Sequence, residues 1–245
     1  MEQQILTVLS NEKLVNGVYK MVLNGKVSAI TNSGQFINIK IDNLFLRRPI
    51  SVCDYTSDSV TIIYKVVGHG TEILKDKVKG DLLDCLLGLG NGYDLTLSGE
   101  EPLLIGGGVG VPPMYNLAKK LIEQGKKVTV ILGFNKAEEI FYEKEFISLG
   151  AKVLVTTVDG SYGVKGFVTD AMKDLSYSYF YCCGPEPMLK AVFNASVTEG
   201  QLSFEERMGC GFGACMGCSC KTIYGNKRIC KEGPVLKKGE ILWNK

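Results

Sequence analysis

The sequence predicts an α+β chain of several domains: an antiparallel β-barrel, a parallel α/β domain and a small C-terminal cysteine-rich domain. Three observations support this prediction. Short strands with alternating apolar residues fill the first hundred positions, strands and helices alternate over the next hundred, and cysteines and glycines crowd the end. The 245 residues, 45% of them apolar, suffice for two hydrophobic cores and a small third unit.

Residues 1–98 form the predicted barrel. Apolar and polar side chains alternate over residues 19–23, and we expect further strands over residues 36–41 and 60–67, where β-branched and aromatic residues are concentrated. Glycine and asparagine turns separate these runs, which is typical of a small antiparallel barrel.

Residues 99–200 form the predicted α/β domain, which is entered through a polar linker at residues 97–102. An apolar strand leads to a glycine turn, and the turn leads to a helix with Leu117, Leu121 and Ile122 on one face. We expect strands at residues 103–105, 128–134, 153–158 and 179–183, and helices at residues 112–123 and 138–149. Alternation of this kind indicates a parallel sheet.

Residues 201–245 form the predicted third domain, which has too few apolar residues to hold its shape without a metal. Five of the nine cysteines lie in the last 36 residues. The spacing of Cys210, Cys215, Cys218 and Cys230 is C-x4-C-x2-C-x11-C, whose first two gaps are those of plant-type [2Fe–2S] ferredoxins. Thiolates are the soft ligands that iron–sulfur clusters require.

Other interpretations of these cysteines stay open. A structural zinc site is one, although only Cys215 and Cys218 form a clean C-x2-C pair. A [4Fe–4S] cluster is another. Cys220 could replace Cys218 as a ligand, but a small buried thiol is the simpler expectation for it.

Composition limits the classes of partner. A net charge of +2 offers no broad basic surface for nucleic acid or anionic lipid, and no apolar run is long enough to span a bilayer. The first residues lack the features of a signal peptide, so we expect a cytoplasmic protein whose reduced thiols bind metal. His69 is the only histidine, and we assign no catalytic side chain.

A glycine-rich turn lies between the strand at residues 103–105 and the helix that follows it. Glycines in such a turn let the backbone approach a pyrophosphate, and the N-terminus of the helix favours its negative charge. The full G-x-G-x-x-G pattern is not present because Pro113 occupies its last position, so a plain turn remains an alternative.

Three further features could bind a phosphate or a nucleotide. Arg47 and Arg48 begin the segment R-R-P-I-S, in which arginine offers a fork of donors. Thr71 could cap a helix that starts near Glu72. The segment C-C-G-P-E-P-M begins at Cys182, at the end of a strand, where open α/β sheets bind ligands.

The order of these motifs is more informative than any one of them. R-x-x-S in a barrel, then G-G-G-x-G-x-x-P, then C-G-P-x-x-M resembles the ferredoxin–NADP reductase superfamily of flavoproteins over residues 1–200. The tail, at residues 206–218 and 229–235, is similar to that of the electron-transfer subunits of dihydroorotate dehydrogenase B, and this resemblance covers the whole chain.

The resemblance implies three cofactors: FAD, a [2Fe–2S] cluster and NAD. The residues implied for FAD are Arg48, Pro49, Ile50, Ser51, Ile63, Tyr64, Lys65, Gly70 and Thr71. Those implied for NAD are Gly106, Gly107, Gly108, Gly110, Pro112, Cys183, Gly184 and Pro185. The implied metal ligands are Cys210, Cys215, Cys218 and Cys230, with Cys220 at a non-ligand position. NAD is favoured over NADP because Lys136 stands beside two carboxylates, Glu138 and Glu139.

The resemblance also implies a function. A partner subunit carrying FMN would oxidise dihydroorotate, and electrons would pass through the cluster and FAD to NAD⁺, in an assembly of two subunits of each kind. A related flavin and iron–sulfur reductase subunit that serves ferredoxin, sulfide or NADPH is the nearest alternative. A zinc-stabilised nucleotide-binding module without redox activity is an alternative of a different class.

Overall fold

The computed structural model describes residues 1–243, so the last two positions of the predicted third domain lie outside the described residues. Six antiparallel strands close a barrel in the order β1-β2-β5-β4-β3-β6. They are β1 (Glu2–Val15), β2 (Val18–Asn24), β3 (Phe36–Ile39), β4 (Arg48–Tyr55), β5 (Ser59–Lys65) and β6 (Leu82–Leu89), with α1 (His69–Lys75) between the last two. Their inward-facing aliphatic side chains form one buried core.

A seven-stranded sheet follows, in the order β10-β9-β8-β7-β11-β12-β15. Its strands are β7 (Pro102–Gly107), β8 (Thr129–Phe134), β9 (Lys152–Thr157), β10 (Val164–Lys165), β11 (Tyr179–Cys183), β12 (Gly200–Ser203) and β15 (Val235–Lys237). All are parallel except β15. The helices are α2 (Pro112–Glu123), α3 (Glu143–Ser148), α4 (Val168–Met172) and α5 (Glu186–Ala195). None of the helices within residues 1–243 is long and apolar enough to cross a membrane.

The C-terminal segment contributes a two-stranded hairpin, β13 (Ser219–Thr222) and β14 (Gly225–Arg228), and a loop that carries the cysteines. The predicted fold class is therefore confirmed: an antiparallel barrel, a parallel α/β sheet and a small cysteine-rich unit. The boundaries proposed at residues 98/99 and 200/201 remain predictions. The second of them falls inside β12.

One local prediction needs correction. The helix expected over residues 138–149 is interrupted: a short 3-10 turn at Ala137–Glu139 precedes α3, and Tyr142 has a φ of 69°. The chain breaks there because Phe141 and Tyr142 are both buried, where their rings meet those of neighbouring aromatic residues edge to face. The turn of the C-terminal hairpin lies at residues 223–224, because Thr222 pairs with Gly225.

Candidate functional site

The two strands that carry the predicted flavin residues diverge at those residues. β4 pairs with β3 along Arg48–Ser51, but its ladder with β5 starts only at Val52, opposite Ile62. Beyond this point the ends of the two strands separate, and the Arg48–Ser51 segment is only half-buried. Backbone N–H and C=O groups at such an opening can bind a planar ligand. The opening lies at the residues that the resemblance implies for FAD.

The three predicted positions at the end of β5 differ in what they can offer. The side chain of Tyr64 lies inside the barrel, where its hydroxyl donates to Asn11 Oδ1 at 3.0 Å and its ring stacks on Tyr19. Burial raises the pKa of Tyr64. Ile63 packs in the core shared with the α/β domain, and Lys65 is exposed. Tyr64 can therefore offer a cofactor its backbone but not its hydroxyl.

Arg48 and the start of α1 form a close contact. A Cβ added to Gly70 would lie 2.2 Å from Arg48 Nε, so glycine lets the guanidinium rest on this turn. Thr71 Oγ1 accepts hydrogen bonds from the N–H groups of Val67 and Gly68 at 3.0 and 3.2 Å. The prediction that Thr71 is the N-cap of a helix starting near residue 72 is wrong: α1 begins at His69 with Gly68 as its N-cap, and Thr71 is the third helical residue, whose hydroxyl accepts from the N-cap backbone. The result is a turn with a guanidinium beside it, and arginine donors of this kind bind phosphate groups.

Arg47, the other arginine of the motif, has a structural partner. Its guanidinium makes two-pronged hydrogen bonds to the Asp84 carboxylate, at 3.1 and 3.0 Å, and also donates to the Asp84 carbonyl. Burial alone would raise the pKa of Asp84, but its hydrogen bonds to Arg47 and Gln3 lower it overall. Arg47 therefore ties its loop to the barrel, whereas Arg48 donates from Nη1 to the Leu46 carbonyl and keeps its other donors available for a ligand.

The predicted nucleotide residues come together from two strand ends. A Cβ on Gly110 would lie 2.2 Å from the carbonyl oxygen of Cys183 and 2.7 Å from Gly184 Cα. A Cβ on Gly107 would lie 2.3 Å from Met188 Sδ, just beyond Pro185. The turn at Gly108–Gly110 also contacts β5. The glycine turn thus lies between the C-G-P turn and a strand that carries predicted flavin residues.

A buried polar network fixes α2 to the barrel. Asn116 Oδ1 accepts a hydrogen bond from Ser33 Oγ at 2.6 Å, and Asn116 Nδ2 donates to Asp54 Oδ1 at 2.7 Å. Lys119 Nζ donates to the other oxygen of Asp54 at 3.2 Å, and Lys120 donates to the Tyr55 hydroxyl at 2.5 Å. Since α2 follows the glycine turn and β4 carries the predicted flavin residues, this network sets the distance between the two sites.

The loop after β8 supports the preference for NAD. Lys136 Nζ is paired with Glu138 at 2.8 Å, and Glu139 Oε2 accepts hydrogen bonds from the side chain and the backbone N–H of Asn135. The one lysine of this loop is thus already engaged by a carboxylate. A ribose 2′-phosphate would meet two nearby negative charges here.

The four predicted ligand cysteines meet as two pairs. Cys210 Sγ accepts hydrogen bonds from the N–H groups of Ala214 and Cys215 at 3.2 and 3.4 Å and lies against the Cys215 thiol. Cys218 Sγ accepts from the Cys230 N–H at 3.4 Å, and those two thiols are also in contact. Within residues 1–243, no three Cys, His, Asp or Glu side chains converge on a point where one ion would bind. A [2Fe–2S] cluster takes two thiolates on each iron, whereas structural zinc gathers four ligands around one ion.

Backbone donors prepare one of these thiols for ionisation. Burial opposes ionisation of Cys210, but N–H groups from Phe212, Cys215 and Ala214 lower its pKa to about 6. A thiol with such a pKa is largely thiolate at neutral pH, which is the form that binds metal. Cys215 is exposed, whereas Cys218 and Cys230 are buried. One edge of the predicted cluster site therefore faces outward.

Arg228, the last residue of β14, holds the cysteine loop in place through hydrogen bonds. Arg228 Nη1 donates to the Gly213 carbonyl at 2.6 Å, while its Nε donates to Glu232 Oε2 at 2.9 Å. Cys220 packs against the buried cluster that contains Cys218 and Cys230, and it also lines a cavity of about 200 Å³ together with Phe204 and Trp243. Cys220 is half-buried and not fully buried as expected, and its place outside the ligand set stays a prediction.

Sequence reasoning missed three residues that hold these sites together: Asn38, Asn116 and Arg228. No local pattern marks the two asparagines, because each bonds to a partner 62 or more positions away in the chain. Arg228 had a signal, since it stands two residues before a predicted ligand and four before an acidic residue.

The fold and these sites define the class of protein: an oxidoreductase of the ferredoxin–NADP reductase superfamily with an added iron–sulfur domain. Two family models match the chain: the oxidoreductase NAD-binding domain over residues 104–194, and the iron–sulfur cluster binding domain of dihydroorotate dehydrogenase B over residues 205–242. The solved structure of an NADH-dependent reduced ferredoxin–NADP oxidoreductase is similar, with a TM-score of 0.88 and 29% identity over 98% of this chain and 90% of that one.

Curated relatives give the family. The dihydroorotate dehydrogenase B (NAD(+)) electron transfer subunit of Geobacillus sp. (strain WCH70) is 43% identical, over 99% of this chain and 99% of that protein. The subunit of the same name from Fusobacterium nucleatum is 44% identical, over 96% of each chain. This chain belongs to the family of dihydroorotate dehydrogenase B electron transfer subunits, as the motifs predicted.

Proposed function

We propose that this chain is the electron-transfer subunit of an NAD-dependent dihydroorotate dehydrogenase of pyrimidine biosynthesis. It receives electrons from an FMN-containing catalytic subunit and passes them through a [2Fe–2S] cluster and FAD to NAD⁺. The observation that carries this proposal is the adjacency of three sites in one chain. The glycine turn Gly108–Gly110 contacts β5, and the cysteine loop lies on β3, next to β4.

The residues present fit these groups. When bound, the three cofactors supply the redox chemistry, namely single-electron transfer at the cluster and hydride transfer between flavin and nicotinamide. The chain supplies position: Arg48 and the turn at Gly70 for the FAD phosphates, and the glycine turn for the nucleotide. Cys210, Cys215, Cys218 and Cys230 hold the irons. No side chain is assigned as an acid, base or nucleophile.

The exposure of the cysteine loop supports a docking face for the catalytic partner. Cys215 is exposed, and the neighbouring side chains of Phe212 and Met216 are 43% and 52% exposed. Because single electrons must enter at the cluster, we infer that this edge faces the FMN subunit. An assembly with two copies of each subunit, located in the cytoplasm, completes the proposal.

The proposal is tested on the complex from the native host. This chain, affinity-tagged, should co-purify with a flavoprotein that contains FMN, and the complex should reduce NAD⁺ when given dihydroorotate under anaerobic conditions. This chain alone should oxidise NADH with a dye as acceptor and should leave dihydroorotate untouched. The proposed function is rejected if this chain reduces the dye with NADH but the complex does not reduce NAD⁺ when given dihydroorotate.

A second candidate has one observation in its favour. The similarity to the ferredoxin–NADP oxidoreductase structure spans nearly the whole chain, so a reductase subunit that serves ferredoxin or sulfide uses the same arrangement of sites. The co-purified partner decides between them: a flavoprotein that binds dihydroorotate supports the first, and one that reduces ferredoxin or a sulfur compound supports the second.

A further inference from the structure

Asn38, on the barrel strand β3, has a buried side-chain amide of which only one half is bonded. The residue is 1% exposed, and its Nδ2 lies 3.4 Å from the Cys210 carbonyl oxygen, to which it donates. Its Oδ1 has no hydrogen-bond partner anywhere in residues 1–243. Buried polar atoms in folded proteins nearly always have partners. The free acceptor therefore points to a group that binds beside it.

The cysteine loop fixes which way this amide faces. The carbonyl of Cys210 needs a donor, so Nδ2 and not Oδ1 must face it. Gly211 lies so close that an added Cβ would be 2.3 Å from Asn38 Nδ2. The loop thus holds the amide nitrogen, and the amide oxygen is directed away from Cys210.

The strand register places Asn38 on the same face as two of the four flavin residues predicted on β4, namely Pro49 and Ser51. Asn38 is directly opposite Pro49, and Phe36 is opposite Ser51. Opposed residues of an antiparallel pair share one face of the sheet. The alternate residue Ile37 is in the barrel core, so Asn38 and Pro49 lie on the outer face.

The same outer face meets the cluster segment. Phe36 belongs to the buried apolar cluster that contains Cys218 and Cys230, two of the predicted iron ligands. Asn38 itself contacts the loop at Cys210. Asn38 thus lies between the predicted flavin strand on one side and the predicted cluster on the other.

We propose that Asn38 is a positioning residue that links the flavin site to the cluster loop. Its Nδ2 holds the Cys210 carbonyl, and its Oδ1 accepts a hydrogen bond from an N–H or O–H group of bound FAD. This inference rests on the proposed function, because it requires FAD on the outer face of β3 and β4.

The test uses the holoprotein with FAD as the probe. Asn38→Leu removes the acceptor and should raise the dissociation constant of FAD about fivefold to tenfold, which is the worth of one hydrogen bond. It also removes the donor to Cys210, so the electron paramagnetic resonance signal of the reduced cluster should shift. Asn38→Asp keeps an acceptor of the same shape and should retain FAD better than Asn38→Leu.

Asn91→Ala is the matched control. Asn91 also ties the barrel to the cluster segment, since its side chain bonds to the carbonyls of Glu232 and Val235 at 3.1 and 2.8 Å. Its loss loosens the same two units without removing an acceptor from the flavin face. The dissociation constant of FAD should therefore stay at the wild-type value in Asn91→Ala.

Each result of these measurements either supports the proposed role of Asn38 or overturns it. If the donor is a ring N–H of the flavin, its reduction potential shifts along with the affinity; if the donor is a ribityl hydroxyl, the affinity alone changes; both results support the proposal. Wild-type affinity in Asn38→Leu, or equal weakening in Asn91→Ala, overturns it. If Asn38→Leu does not fold, a tenfold loss of FAD in Asn38→Asp overturns it instead. A wild-type protein that binds no FAD rejects the proposed function as well.

Discussion

The Asn116 network offers the sharpest test of how the flavin and nucleotide sites are held together. We consider Asn116→Leu, which keeps a side chain of similar size in the first turns of α2. The change removes the hydrogen bonds to Ser33 and to Asp54. The change leaves the glycine turn, the predicted flavin residues and the cysteine loop intact. Any effect on electron transfer must therefore come from the placement of α2.

The expected magnitude follows from what each partner loses. Ser33 is 1% exposed, so its hydroxyl would be left buried without its acceptor, at a cost of about 1–3 kcal/mol. Asp54 keeps Lys119 and the Tyr55 N–H, so its loss is smaller, about 1 kcal/mol. The free energy of unfolding should fall by about 2–4 kcal/mol.

A shift of about 1 Å between reacting groups can slow a reaction about a hundredfold, so hydride transfer should slow by about ten- to a hundredfold.

Stopped-flow reduction of the bound FAD by NADH under anaerobic conditions measures this step directly. Asn24→Ala is the control, because the Asn24 side chain bonds to the Asp58 carbonyl within the barrel and does not reach α2. FAD content should match the wild type in both variants. A wild-type rate of flavin reduction in Asn116→Leu, measured on a protein that has lost the expected stability, would refute the reasoning.

Four further predictions test single residues. Cys215→Ser should lose the iron–sulfur absorbance and keep FAD; unchanged iron and sulfide contents would remove Cys215 from the ligand set. Arg48→Ala should weaken FAD binding about tenfold, because a charged donor fork is lost; full flavin occupancy after gel filtration would contradict this. Gly110→Ala places a Cβ 2.2 Å from the Cys183 carbonyl oxygen, so the KM for NAD should rise while FAD content stays constant; an unchanged KM would count against the glycine turn as the nucleotide site. The pKa of Asp84 is lowered in the folded state, so its stabilising effect is full above about pH 5 and is lost as the pH falls through the folded pKa. The difference in urea stability between wild type and Asp84→Asn should shrink accordingly toward pH 3, and a constant difference would show that the carboxylate is not stabilised by its arginine partner.

Elements with strong local signals were predictable. α2 begins and ends at the predicted residues because a double proline opens it and its apolar spacing is regular. β11 also matches its prediction, since an unbroken run of aromatic residues and cysteines is buried on both faces of a parallel sheet. The spacing of the cysteines predicts a metal site directly from the sequence, without knowledge of the fold.

What failed depends on distant contacts. The break before α3 arises because Phe141 and Tyr142 insert into an aromatic cluster, and no helix-breaking residue marks it. The inward direction of the Tyr64 side chain also had no local signal, since its hydroxyl bonds to Asn11, 53 positions earlier; the prediction that Tyr64 contacts FAD is untested. Likewise, the long-range partners of Asn38 and Asn116 cannot be read from spacing. Propensity reports on neighbours in the chain, whereas these features are set by neighbours in space.

The position of β15 has a consequence for how such a chain can evolve or be dissected. This strand follows the last cysteine, yet it covers the outer edge of the nucleotide sheet by pairing with β12. All four residues of β12 are buried. A truncation from the cysteine segment to the C-terminus would also remove β15 and leave the backbone N–H and C=O groups of β12 unpaired, and such an open edge can pair with other chains and cause aggregation. The cysteine loop and the strand that protects the edge of the seven-stranded sheet therefore belong to one continuous segment. A variant that lacks the cysteine segment would need another strand to cover that edge.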